Sequence, residues 1–382
     1  MLKATVRALS MPPFRAMQLL AQARELEQQG RDIVHFELGE PDFRTPHHVI
    51  DAAFRAAEDG FTAYTPAEGL LELREALSER YNNEYGVSVS PDRFIITMGS
   101  SPALWMTFAS VLEPGDRVIM TDPHYACYPN DVRFVGGEPV KFPVKAEDGF
   151  MLDAKAAWTA AGENAKAILI NSPSNPTGAV MEARHLQAVA DLPVPFVISD
   201  EIYHGITYGT KAHSILEYRE DAFVLSGFSK LYAMTGWRLG WIICPPDLVE
   251  PMKRVHQNLF LCASSFVQKA AVAALKGPQE PIKQMVRTYD QRRVYLLGAL
   301  RDMGFGIPAE PRGAFYILAD ARHLDESSEN LSKRLLLEAV IAATPGIDFG
   351  EAAEGFLRFC YATSIERIAE GMKRLKVWLD NQ

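Results

Sequence analysis

Lys230 ends the segment Ser226-Gly227-Phe228-Ser229-Lys230, directly after the apolar run Phe223–Ser226. A lysine behind a buried strand is costly unless it is paired or reacts. Arg238 follows in Ala233-Met234-Thr235-Gly236-Trp237-Arg238-Leu239-Gly240, where another apolar strand begins. Asp200 closes a second run, Phe196–Ser199, within Ser199-Asp200-Glu201-Ile202-Tyr203. A carboxylate so near a sheet core needs a partner charge or a proton donor. Asn171-Ser172-Pro173-Ser174-Asn175-Pro176-Thr177-Gly178 makes a rigid loop after a third run. A fixed Asn side chain there can hydrogen-bond a ligand oxygen. Thr97-Met98-Gly99-Ser100-Ser101-Pro102 ends a fourth strand and opens a helix. Backbone N–H groups and hydroxyls at a helix N-terminus suit a phosphate. Each motif alone has an ordinary explanation: a loop charge, a helix cap, a plain turn, a buried ion pair. The whole constellation is hard to obtain by chance, and strand ends are where open α/β sheets bind ligands.

The elements that must position these residues follow from hydrophobic spacing. From about residue 90 the pattern is strand, loop, helix, repeated. Strands are expected at Phe94–Met98, Arg117–Thr121, Val140–Val144, Ala165–Asn171, Phe196–Ser199 and Phe223–Ser226. Their nearly continuous apolar character fits strands covered on both faces. Intervening helices, such as Pro102–Leu112 and Glu182–Ala190, imply parallel crossovers. Earlier come helices at Met17–Gln29, Pro46–Glu58 and Leu70–Glu84 and a strand at Ile33–Leu38. After Gly240 the chain turns mainly helical, over Asp247–Asn258, Ser265–Leu275 and Glu280–Asp302. Strands at Ala314–Ala319 and Phe356–Tyr361 and helices at Leu331–Ala342 and Ile365–Leu379 complete a smaller α+β part. The expected class is α/β, with a mostly parallel central sheet and helices on both faces. The expected division is a large domain, 46–275, and a small one built from 1–45 and 276–382.

Composition sets the bounds. The 382 residues exceed what one hydrophobic core usually serves. With 48% apolar and 23% charged residues, this is an ordinary globular composition. A net charge of −9 argues against nucleic acid as the main partner. No apolar run is long enough to cross a bilayer, so no membrane partner is expected. The widely spaced Cys127, Cys244, Cys262 and Cys360 fit reduced thiols, not a zinc site or a disulfide framework. The first 24 residues hold Lys3, Arg7, Arg15 and Arg24 and no acid, but Met11-Pro12-Pro13 interrupts any transit helix there. The expected location is the cytoplasm.

These motifs resemble the fold-type I, pyridoxal-phosphate-dependent aminotransferases of class I/II. The likeness rests on Gly39-Glu40-Pro41-Asp42-Phe43, Tyr64-Thr65-Pro66, Asn175-Pro176-Thr177-Gly178, Asp200-Glu201-Ile202-Tyr203, Ser229-Lys230 and Arg358, in that family's order and at about its spacing. The resemblance implies that Lys230 holds pyridoxal 5′-phosphate as a Schiff base and then moves the Cα proton. It implies that Asp200 pairs with the pyridinium nitrogen, and that Tyr203 and Asn175 hydrogen-bond the ring O3′. Arg238, Ser229, Ser100 and Ser101 would hold the phosphate, and Tyr125 would stack on the ring. Arg358 would clamp the substrate α-carboxylate, which Gly39 lets the backbone approach. Tyr64 would reach the phosphate in a neighbouring subunit, which implies a homodimer with composite sites. Many relatives carry Ser where this chain has Gly227, so Ser226 or Ser229 takes that hydroxyl's place. His124 and His204 are read as packing residues. By analogy, Phe14, Tyr64, Tyr125 and Phe260 form an apolar wall.

The activity so implied is transfer of an amino group between an L-amino acid and a 2-oxo acid through pyridoxamine phosphate. A C–S β-lyase of the same fold is the alternative, since it would share every residue named. A ligand-sensing regulator of this fold would need a DNA-binding domain ahead of the pattern, which already begins near residue 14. No Arg or Lys is evidently placed for a second substrate carboxylate.

Overall fold

The apolar runs pair into one seven-stranded sheet in the computed structural model, which describes residues 4–162 and 164–382. Lys3 lies outside the described residues. The strands are β1 Phe94–Thr97, β2 Arg117–Asp122, β3 Glu138–Pro143, β4 Ala167–Asn171, β5 Phe196–Asp200, β6 Phe223–Gly227 and β7 Gly240–Ile243. Their spatial order is β1-β7-β6-β5-β4-β2-β3. All neighbours run parallel except β7, which is antiparallel to both β1 and β6. The run after Arg238 therefore enters the sheet against the other strands. Successive side chains alternate between two apolar layers, as the pleat requires. Trp241 and Ile243 join one layer with Leu77 and Leu186, while Ile242 joins Leu104 and Phe108 in the other. Helices on both faces make these strands apolar throughout.

The C-terminal part adds a three-stranded antiparallel sheet of β8 Tyr316–Asp320, β9 Thr344–Pro345 and β10 Phe356–Cys360, with β10 in the middle. Arg358 sits at its centre, opposite Leu318 on one side and Thr344 on the other. The N-terminal arm joins this part, because Val34–His35 pairs in parallel with Ile341–Ala342. That pairing is shorter than the strand expected over 33–38. Past it, the Phe36 carbonyl accepts from the Cys360 N–H at 2.8 Å. The helix expected over 331–342 is also corrected. It spans Ser328–Arg334, widens into a π-turn over Leu335–Ala339 and stops at Val340, whose φ is +61°. The β-branched Val340 and Ile341 go to the strand partner and not to another helical turn. Two short helices, Tyr128–Phe134 and Ala154–Ala160, were not anticipated from spacing. Among the described residues no helix is long and apolar enough to cross a membrane.

Just past β5, Glu201 is buried behind the strand ends. Its Oε1 accepts from Ser199 Oγ at 3.1 Å, Ser214 Oγ at 3.0 Å and the Ile215 N–H at 3.0 Å. Burial outweighs these donors and pushes its pKa from 4.5 up to about 8. The folded chain thus keeps a proton that the unfolded chain releases at lower pH. The resulting stability is present in full below the unfolded value and is lost as pH rises through about 8. The urea midpoint of the wild type is therefore expected to fall between these two values more steeply than that of Glu201→Gln. Parallel pH profiles for the two proteins would refute this account.

Candidate active site

Lys230 stands three residues beyond β6, and its Nζ donates to the Gly39 carbonyl at 2.7 Å. Burial lowers its pKa from 10.5 to about 8, which brings the uncharged amine within reach of neutral conditions. Gly39 can come this close because it lacks a side chain. A Cβ there would lie 2.1 Å from the Tyr316 hydroxyl.

Asp200 is the last residue of β5, in register with Asn171 of β4 and Leu225 of β6. Its Oδ2 accepts from the Tyr128 hydroxyl at 2.7 Å, and its Oδ1 from the Ile202 N–H at 3.1 Å. Burial pushes its pKa up to about 6 against these donors and the field of Lys230. Asn171 fixes the adjoining loop. Its Nδ2 donates to the Asp200 carbonyl at 2.9 Å, and its Oδ1 accepts from the Asn175 N–H at 2.9 Å. Tyr203 shares a 2.8 Å hydrogen bond with the Tyr316 hydroxyl.

Two guanidinium groups face the same cavity from different elements. Arg238 adopts a left-handed backbone, φ +52°, and its Nη1 donates to the Thr235 carbonyl at 2.9 Å. Its guanidinium lies over Gly99, where a Cβ would come within 2.6 Å of Nη2. Gly99, at φ +97°, begins the helix Ser100–Val111 and leaves that N-terminus without a side-chain cap. Ser100, Ser101, Ser229 and Arg238 thus surround an uncapped helix end, a combination suited to an anion. Arg358 is held more tightly. Nη1 donates to Asn175 Oδ1 at 3.0 Å, and Nη2 donates to Thr344 Oγ1 at 3.2 Å and to the Glu37 carbonyl. Its guanidinium lies over the Tyr316 and Phe349 rings, at 4.4 and 4.8 Å from their centroids.

All these groups line one cavity of ≈ 390 Å³. It takes in Lys230, Asp200, Tyr203 and Asn175, the cluster of Ser100, Ser101, Ser229 and Arg238, and Tyr125, Gly39 and Arg358. Tyr64 is the exception among the expected site residues: its side chain is outside the cavity and 84% exposed. The expected apolar wall is present only in part. Phe14 packs edge-on against Tyr125 with centroids 6.2 Å apart, whereas Tyr64 and Phe260 do not line the cavity. Of the two serines considered in place of a residue-227 hydroxyl, Ser229 lines the cavity, and Ser226 instead donates to the Glu201 carbonyl at 3.2 Å. Glycine suits position 227, since a Cβ there would press on the Leu239 carbonyl at 3.0 Å. His124 and His204 are buried outside the cavity, with pKa values pushed down to about 4 and about 3 by burial.

Sequence reasoning missed Tyr128, Tyr316 and Asp131, which also line the cavity. Tyr128 and Tyr316 lie within apolar segments, where a tyrosine reads as core. Tyr128→Phe tests the first. A hydrogen bond to a charged acceptor is worth roughly 1.5–3 kcal/mol, about one to two pH units. Its loss is expected to raise the Asp200 pKa by that amount. The pH dependence of the carboxyl C=O stretch, isolated by infrared difference against Asp200→Asn, measures the change. An unmoved titration would rule out Tyr128 as the group that holds Asp200 ionised.

The comparisons with known proteins agree with this geometry. Residues 31–375 match the family model for aminotransferase class I and II. The (5-formylfuran-3-yl)methyl phosphate transaminase of Methanocaldococcus jannaschii is 38% identical over 98% of this chain and 99% of its own length. The aspartate/prephenate aminotransferase of Thermus thermophilus is 38% identical over 96% of each chain. A crystal structure of the Thermus thermophilus aspartate aminotransferase with maleate superposes with a TM-score of 0.94 at 36% identity, covering 99% of this chain and 100% of that one. These names lend nothing to the C–S lyase alternative. The chain belongs to the class I and II aminotransferases, and the sheet with its strand-end cavity is their fold.

Proposed function

We propose that this aminotransferase works with pyridoxal 5′-phosphate in the cavity, and that Lys230, Asp200 and Arg358 divide the chemistry among them. The observation that carries the proposal is a partly buried lysine amine and a buried carboxylate facing one cavity with two separately held guanidinium groups. The donor set fits this cofactor at each point. A phosphate suits the uncapped helix end beside Arg238, a cradle that a side chain at Gly99 would fill. Asp200 has two neutral donors, so a ring nitrogen carrying a proton suits its buried charge. Tyr125 offers an aromatic face. When bound, the cofactor supplies an electron sink for the charge that develops at the substrate Cα.

The chain's own residues do the rest. Asp200 holds the proton on the ring nitrogen. Asn175, with its Oδ1 taken by Arg358, keeps its Nδ2 to donate to the ring O3′ beside Tyr203. Arg358 holds the α-carboxylate, already oriented by its own hydrogen bonds and by two aromatic rings. The Lys230 amine, within reach of its uncharged form, would take the proton from the substrate Cα and hold it for return. An L-amino acid gives up its amino group in one half-reaction, and a 2-oxo acid collects it in the other. The test is spectroscopic. An amino acid alone is expected to remove the absorbance of the bound cofactor, and a 2-oxo acid to restore it. Lys230→Ala should slow this exchange by at least about 10²–10⁴-fold. Exchange at the wild-type rate in that variant would overturn the proposal.

The same reading takes the active form to be a two-fold homodimer in which Tyr64 serves the neighbouring site. Its support is an exposed apolar surface. Phe61, Tyr64, Leu259, Leu261 and Phe266 are all exposed. Their segments are tied together by the bonds Ser265 Oγ to the Phe61 carbonyl and Thr65 N–H to Cys262 Sγ. Such a patch is ordinarily covered. Mixing Lys230→Ala chains with Tyr64→Phe chains tests it. Each mixed dimer would hold one site with both residues intact, so activity at limiting cofactor is expected to recover toward half of wild type per mixed dimer. Activity equal to the average of the two parents would remove Tyr64 from the partner's site.

A further inference from the structure

The charged groups lining the cavity divide unevenly. Its cations are Lys230, Arg238 and Arg358. The reading above commits all of them, to the cofactor, its phosphate and the α-carboxylate. Its anions are Glu37, Glu40, Asp131 and Asp200. Asp200 is held by Tyr128, Glu37 hydrogen-bonds His35 Nδ1 at 2.7 Å, and Glu40 accepts from Thr235 Oγ1. The Asp131 carboxylate has no hydrogen bond or ion pair among the described residues. Only its backbone is engaged, with its N–H on the Cys127 carbonyl at 2.9 Å. Partial burial with no cation beside it pushes its pKa up to about 7.

Asp131 stands in the helix Tyr128–Phe134 and shares the cavity wall with Tyr125 and Cys127. Phe14, Met17 and Leu104 supply apolar wall to the same cavity. An unpaired carboxylate among apolar walls matches a methylene stem ending in a cation. It repels a second carboxylate, for which no cation is left. We propose that Asp131 is a specificity-determining residue, and that the amino donor is an L-amino acid whose aliphatic side chain ends in an ammonium group. This rests on the aminotransferase reading above and names its substrate class. The ammonium gives Asp131 the partner that the chain withholds. A dicarboxylic donor gains nothing at this end of the cavity.

The test compares L-lysine with L-norleucine, which has the same four-carbon stem length and no ammonium, and with L-glutamate. The holoenzyme is expected to favour lysine over norleucine in kcat/KM, with glutamate below both. Asp131→Asn should lower the lysine-to-norleucine ratio roughly 10- to 100-fold, mainly through the KM for lysine. Asp131 makes no side-chain hydrogen bond or ion pair among the described residues, so this variant tests recognition and not folding. A wild type that favours norleucine or glutamate, or a ratio that survives Asp131→Asn, would overturn the assignment. Calorimetric titration of the holoenzyme gives a ratio of binding constants, which Asp131→Asn is expected to lower in the same direction. If no amino acid is turned over, the aminotransferase reading fails, and the binding ratio still decides the role of Asp131.

Discussion

A carboxylate kept dry at the end of a parallel sheet is the constraint on which the site depends. Asp200 can be buried there because β4 and β6 flank it and apolar layers cover both faces. Burial alone would protonate it, and its pKa does rise to about 6. Two donors, the Tyr128 hydroxyl and the Ile202 N–H, offset part of that cost, and the field of Lys230 offsets more. No guanidinium is spent on it. Arg238 and Arg358 are both oriented by other groups, so the carboxylate is left for a proton-bearing partner brought by a ligand. The fold thus carries an electrostatic cost in its ligand-free state that binding would repay.

The two guanidinium groups are fixed by opposite means. Arg238 is aimed by its own backbone, which turns left-handed just before β7 and swings the side chain over Gly99. Arg358 lies on a regular strand and is aimed by its neighbours, through hydrogen bonds to Asn175, Thr344 and the Glu37 carbonyl and contact with two aromatic rings. The first arrangement couples β1, β7 and the helix after β1. The second couples the small antiparallel sheet to the rigid Asn175 loop and to the N-terminal arm. A displacement of the arm would therefore be felt at Arg358, because Glu37 lies in the arm and its carbonyl accepts from that guanidinium.

The strand ends were legible in the sequence because their signals are local. An apolar run that stops at Asp200 or just before Lys230 announces both a buried strand and an unusual charge at its end. The sequence resemblance supplied Arg358 and Gly39, which hydropathy alone does not distinguish. Tyr128 and Tyr316 escaped because a tyrosine in an apolar segment reads as core; its hydroxyl partners, Asp200 and Tyr203, lie 72 and 113 residues away. The overrun of the helix past residue 334 has a similar cause. Leu335, Leu336 and Ala339 keep helical spacing, yet Ile341 and Ala342 find strand partners in the distant arm. Tyr64 shows a further limit, because its side chain is exposed and does not line the cavity of its own chain.

Rigidity is distributed unevenly around the cavity, and this bears on what the enzyme selects. Lys230, Asp200 and Arg358 each have hydrogen-bond partners inside the chain, so these groups are aimed before any substrate arrives. Bonds of this kind serve every amino acid alike, since they address the α-carbon and its carboxylate. Discrimination must come from groups that the common atoms leave unsatisfied. At the far wall the apolar atoms of Phe14, Met17 and Leu104 accept any stem of suitable length, and differ little between isosteric side chains. A carboxylate without a partner differs greatly, because it distinguishes a cation from a methyl group by sign of charge. On the proposal made for Asp131, the sign of charge at one carboxylate would therefore weigh more in setting specificity than the apolar surface around it.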